Sequence, residues 1–162
     1  MKPVVVADTS PIVYLRLIHR VEILPSLFDG ISIPMQVYRE LSHPSAPALV
    51  RSWAREGPDW LAVLPSPGID DPATARLDSG EREAIALAEQ LKAELILMDE
   101  RKGTKVCLQK GFSVVGTLGL LDLAARRGMV DFIACIEELK RTNFRYRPET
   151  LARMIARFQP RG

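Results

Sequence analysis

Short apolar runs interrupt a chain whose remaining hydrophobic positions recur at helical spacing. VVVAD (4–8), ISIP (31–34), ELILMD (94–99) and FSVVG (112–116) are continuous rather than alternating, the pattern of strands buried on both faces. WLAVLP (60–65) is a weaker run suited to a sheet edge. Amphipathic segments fill 11–18, 22–28, 35–42, 46–56, 80–92, 101–110 and 117–127, followed by two more at 131–141 and 148–158. Strands alternating with helices predict an α/β fold of three layers, α/β/α, around a central, mostly parallel twisted sheet of about 4–5 strands. The last two helices are expected around the sheet's edge. Pro34, Pro44 and Pro148 fall where helices begin or have just stopped. PSPGIDDPATARLDSG (65–80) reads as a long loop, and long loops in compact domains are often functional. With no internal repeat or low-complexity tract, one domain is expected over 1–162, its core at about 4–127.

Composition changes this picture little. The chain has 162 residues, 47% hydrophobic and 26% charged, which excludes a disordered or fibrous protein. No apolar run approaches the roughly 20 residues of a membrane span. The start lacks the apolar region and cleavage site of a secretory signal, so a cytoplasmic protein with no membrane association is expected. Cys107 and Cys135 lie inside helical patterns, as reduced core thiols would. The net charge of +2 implies no partner. Beyond residue 125, however, Arg126, Arg127, Lys140, Arg141, Arg145, Arg147, Arg153, Arg157 and Arg161 outnumber Asp131, Glu137, Glu138 and Glu149. That excess fits either a nucleic-acid path or a solvated helical face.

The chemistry begins at Asp8. A carboxylate ending a buried strand is costly unless a helix N-terminus, a base or a metal ion meets it. A cap on the following helix, helped by Thr9 or Ser10, is one explanation. Asp99 ends ELILMD in the same way, and ligands of parallel sheets bind at the carboxyl ends of strands. If the two strands are neighbours, the two acids share a crevice and repel unless a cation lies between them. Glu100 follows directly. Glu40 lies on the helix after the second strand, and Glu81 in the first turn of the helix opened by Ser79-Gly80. In isolation Glu40 reads as an exposed charge, and Glu81, with Asp78 and Glu83, as acids serving the helix dipole. His19 and His43 have no zinc-like spacing, and no nucleophile elbow or phosphate-cradling glycine loop is present. Gly116-Thr117-Leu118-Gly119 marks a helix start, either a plain cap or a phosphate site.

Taken together, Asp8-Thr9-Ser10, Glu40 in VYREL, Glu81 in GEREAIALAEQL and Asp99 in LILMDERKG resemble the PIN domain, a family of small α/β nucleases. The likeness covers about residues 4–127, and MDERKGTKVCLQKGFSVVGTLGLL resembles a bacterial and archaeal branch. Many relatives have Asp where Glu81 stands, with Asp78 and Glu83 nearby as competitors, and relatives of this branch often have Arg where Thr104 stands. The resemblance implies cleavage of RNA phosphodiesters with Mg²⁺ or Mn²⁺, hard cations suited to carboxylate oxygens. Asp8 and Asp99 would be the main ligands, with Glu40, Glu81 and Glu100 direct or water-mediated. Ser10, or failing it Thr9, would bond a ligand carboxylate or the scissile phosphate. It further implies the toxin half of a type II toxin–antitoxin pair, an antitoxin partner, and a homodimer built on the apolar faces of 11–18 and 46–56. The alternative is a catalytically silent PIN-like domain that binds RNA or protein. A receiver-type Mg²⁺ module fits worse, because it needs a mid-chain phosphoacceptor and a late-strand lysine that are not in place.

Overall fold

A computed structural model describes residues 3–68 and 70–159. Its strands are β1 (Val5–Ala7), β2 (Ile31–Pro34), β3 (Leu61–Leu64), β4 (Leu95–Leu97) and β5 (Ser113–Val115). They form one five-stranded, all-parallel sheet in the order β3-β2-β1-β4-β5, with the weak run WLAVLP at its edge as β3. The helices are α1 (Thr9–Leu17), α2 (Ile23–Phe28), α3 (Met35–Ser42), α4 (Ala48–Glu56), α5 (Ser79–Leu91), α6 (Arg101–Gln109), α7 (Thr117–Arg126), α8 (Phe132–Lys140) and α9 (Pro148–Phe158). They cover both faces of the sheet, giving the three-layer α/β/α arrangement expected of the pattern.

Continuous apolar strands are required because each residue enters one of two cores. Val5, Ala7 and Leu97 pack with α1 to α4, α7 and α8, around Ile12, Leu15, Val37, Leu41, Leu120 and Phe132. Val6, Ile96 and Met98 pack on the other face against Ala84, Ile85, Leu87 and Ala88 of α5 and Cys107 of α6. Truncating a fully buried side chain such as Ile85 to alanine would cost about 2–5 kcal/mol. β1 and β4 are joined in register, Val5 beside Leu95, Val6 beside Ile96 and Ala7 beside Leu97.

The loop 65–80, of which Ile69 lies outside the described residues, contains a single 3-10 turn at Pro72–Thr74. It is clamped by Lys110, whose Nζ lies 2.5 Å from Asp71 and 3.3 Å from Glu89 of α5. Cys107 and Cys135 are separate, buried thiols. Among the described residues no helix is long and apolar enough to cross a membrane.

The final helices build outward from the last strand's helix: α8 packs on α7 and α9 on α8, so Cys135, Ile136, Leu139 and Leu151 extend the larger core. Part of the apolar faces expected to form a dimer is spent inside the fold. Ile12 and Leu15 of α1 and Val50, Trp53 and Ala54 of α4 are buried, because α1 packs between α4 and α7. Arg161 of the basic tail lies outside the described residues.

Candidate active site

Because β1 and β4 are neighbours, the turns leaving them open into one cleft of about 1610 Å³. Asp8, Thr9, Ser10, Glu40, Glu81, Asp99 and Glu100 all line it, as does Asp78. The sequence-predicted site residues are therefore brought together, although each is held differently.

Asp8 is 5% exposed, and its backbone N–H donates to Leu97 O at 2.9 Å. It stands at the N-cap position of α1 without a side-chain capping bond from that helix's later turns, so capping alone does not explain it. Burial raises its pKa to about 8; the Thr9 backbone N–H opposes this, and the charges of Asp78, Glu81 and Glu40 reinforce it. Glu40, near the end of α3, accepts a hydrogen bond from the Thr9 hydroxyl. Burial raises its pKa, partly offset by that bond. Its carboxylate lies against the backbone of Gly80, where an added Cβ would fall 2.6 Å from Oε1. The glycine that opens α5 thus makes room for an acid of α3.

Glu81 performs the plain helix-start role as well as lining the cleft. Its N–H donates to Asp78 Oδ1 at 2.8 Å and its Oε2 accepts from Asp78 N at 3.4 Å, a reciprocal capping box. Yet it is only 7% exposed, and burial, with Asp78's charge, raises its pKa to about 7. Asp78 is exposed, and Glu83 is not part of the cleft lining.

Asp99 is gripped by the start of α7. Thr117 N–H donates to Oδ1 at 2.7 Å and the Thr117 hydroxyl to Oδ2 at 2.7 Å. The Gly116-Thr117 step is accordingly a carboxylate cradle, and a Cβ on Gly116 would meet Asp99 Oδ1 at 2.6 Å. Burial raises the Asp99 pKa while both Thr117 bonds lower it. Glu100 is exposed and caps α6 through Lys102 N at 3.3 Å.

The two strand-ending acids do not face each other as simply as VVVAD and LILMD imply. Ala7 pairs with Leu97, so Asp8 is level with Met98 and Asp99 lies one residue further on. Asp8 lies within electrostatic reach of Cys107 of α6, and Asp99 is bound by Thr117 of α7. The acids that raise the Asp8 pKa are Asp78, Glu81 and Glu40, while burial alone raises that of Asp99.

Beyond the acids, the cleft is lined by Arg145 and Arg147 of the basic excess noted in the sequence and by residues the sequence did not single out. Tyr14 of α1 borders the cleft, its pKa raised by burial and by Asp99 and lowered by Arg145. Asn143, Phe144, Arg145, Tyr146 and Arg147, between α8 and α9, form one wall. The alternation of aromatic and arginine in FRYR was the available signal. Thr104 of α6 also lines the cleft, as do Arg101 and Lys105 of the same helix.

The donor set suits a hard divalent cation: hydroxyls and carboxylates, one of them so deeply buried that its pKa is raised to about 8. Among the described residues no three acidic, histidine or cysteine side chains stand close enough, as placed, to grip one ion. Each of these carboxylates is turned onto a local donor instead, Asp8 onto the Thr9 backbone N–H and the others onto a neighbouring hydroxyl or backbone N–H. Magnesium commonly uses one or two carboxylates and keeps several waters, so the residues fit it without a complete protein cage.

The family model for the PIN domain matches residues 4–160, nearly the whole chain. No curated protein matches it. A five-stranded parallel sheet, acids at the ends of β1 and β4, and a family match over that length agree, and the chain belongs to the PIN-domain family, whose members are commonly nucleases.

Proposed function

We propose that the protein is a Mg²⁺- or Mn²⁺-dependent endoribonuclease, a single domain working in the cytoplasm as the toxin of a type II toxin–antitoxin pair. The observation that carries the nuclease reading is Asp8: a buried carboxyl with a pKa of about 8, surrounded by Glu40, Asp78 and Glu81 in the cleft that Asp99 also lines. Such a cluster stores negative charge that a cation would neutralise.

Asp8 and Asp99 would hold the ion, with Glu40, Glu81 and Glu100 reached directly or through water. A bound divalent ion lowers the pKa of water to supply a nucleophile and neutralises charge on the phosphate. The chain's own residues set the arrangement. Thr9 holds Glu40, Thr117 holds Asp99, and the Asp78 capping box holds Glu81, so each acid has a fixed starting position. With the Thr9 hydroxyl engaged, Ser10 is the hydroxyl suited to bond the scissile phosphate. RNA and an antitoxin that covers the same cleft are the expected partners.

The test is cleavage of a mixed single-stranded RNA pool with Mn²⁺, with Mg²⁺ and with EDTA, comparing wild type with Asp8→Asn and Asp99→Asn. Metal-dependent cutting lost in both variants is expected. Folded wild type that cuts under neither metal would favour a silent binding domain.

A further inference from the structure

The acidic floor of the cleft is bordered by cations that do not pair with it. Arg101 and Lys105 of α6 and Arg145 and Arg147 of the segment between α8 and α9 line it. Among the described residues none of the four forms an ion pair, even though six carboxylates line the same cleft. Between the two arginines stands Tyr146, an aromatic left 39% exposed.

This wall is braced, not loose. The Tyr14 hydroxyl donates to Asn143 Oδ1 at 2.9 Å, and the Tyr14 and Phe144 rings meet edge-on at 5.0 Å and 74°. Thr142 Oγ1 donates to Leu139 O at 2.6 Å and accepts from Phe144 N at 3.1 Å. Phe144 packs against the larger core, so residues 143–144 anchor the segment and 145–147 are presented to the cleft. Tyr14 lies within electrostatic reach of both Asp99 and Arg145, which places the wall beside one of the strand-ending acids.

An exposed ring between two arginines beside an acid cluster matches one occupant well. A single strand offers phosphates to the arginines and an unstacked base to the ring, while a duplex keeps its bases stacked. We infer that the 145–147 segment is a clamp for single-stranded RNA, in which Tyr146 stacks on a base next to the bond to be cut and Arg145 and Arg147 hold the phosphates on either side of that base. Arg101 and Lys105 then receive the strand where it leaves the cleft along α6. This rests on the nuclease reading for the identity of the strand, but the clamp requires neither metal nor cleavage.

The test is therefore binding in EDTA, read as fluorescence anisotropy of a short, labelled, mixed-sequence single-stranded RNA and of the same sequence as a duplex. Tyr146→Ala should weaken single-strand binding roughly 5- to 150-fold, the range for loss of one base stack, and leave duplex binding unchanged. Tyr146→Phe should bind like wild type. Arg145→Ala combined with Arg147→Ala should flatten the dependence of log affinity on log salt by about 1.4, two phosphates at ~0.7 each. Tyr146 lies outside both cores, so its loss should leave thermal unfolding unchanged. Unchanged affinity in Tyr146→Ala, equal loss on single strand and duplex, or no RNA binding by wild type would each overturn the clamp. Cleavage with unaltered binding in these variants would reject the clamp and spare the nuclease. Binding that depends on Tyr146 without cleavage under Mn²⁺ would do the reverse.

Discussion

Replacing Asp8 by asparagine removes the one group whose burial works most strongly against the fold. In the folded chain its pKa is about 8, against 3.8 for the free carboxyl. Below pH 3.8 both states bind the proton and folding is unaffected by this group. Between 3.8 and about 8 the folded chain keeps a proton that the unfolded chain releases, so stability falls as pH rises; above about 8 the loss is complete. At pH 7 the interval is about 3 pH units, and at ~1.36 kcal/mol each the loss comes to roughly 4 kcal/mol. Asparagine keeps an oxygen for the Thr9 N–H and removes the titration. Asp8→Asn should therefore melt higher than wild type at neutral pH, by up to about 8–16 °C for a domain of this size. The gap should shrink to nearly nothing around pH 4. The assay is thermal unfolding by circular dichroism in EDTA across that range. Mg²⁺ should then raise the wild-type Tm by mass action, with ~2.7 kcal/mol gained at a hundredfold excess over Kd, and should raise that of the variant less. A variant that melts at or below wild type at pH 7, or above it by an amount independent of pH, would refute the reasoning.

Glu81→Gln should also stabilise the chain, over the narrower window from 4.5 to about 7, because glutamine can still complete the capping box with Asp78. Urea unfolding at both ends of that window checks it, and RNA cleavage should be lost while the fold is kept. Gly116→Ala should lower cleavage sharply, since the new Cβ would displace the Asp99 carboxylate from Thr117. Its stability cost should stay within the ~1–3 kcal/mol typical of overpacking, read as a Tm shift. Lys110→Met should leave the Tm nearly unchanged but speed amide exchange through residues 70–78, because Asp71 and Glu89 lose their common partner.

The elements were legible because the sheet is covered on both faces: strands such as VVVA and LILM had to be continuous, and helices had to show one apolar stripe. Meeting of the acids in one cleft followed from the rule that parallel strands present their carboxyl ends together. What the sequence could not convey was register. Asp8 and Asp99 end similar strings, but pairing of Ala7 with Leu97 offsets them by one residue, and Asp99 is bound by Thr117 while Asp8 feels Asp78, Glu81 and Glu40. The wall at 143–147 was hidden for a related reason. Its position depends on Tyr14 meeting Asn143 and Phe144, a contact 129 residues long in sequence at the hydrogen bond, and no local pattern encodes it. The apolar stripes of α1 and α4 record only that these helices are covered, and much of what covers them is the chain's own core.

The strand order also divides the chain's labour. The first half builds β1 to β3 and brings Asp8 and Glu40; the second builds β4 and β5 and brings Glu81 and Asp99; the two meet along β1 and β4. The covalent link between them is the loop 65–78, tethered midway by Lys110 at Asp71. Neither half alone carries all four acids, so under the proposed function a chain severed in that loop should cut RNA only when its two halves reassemble along β1 and β4.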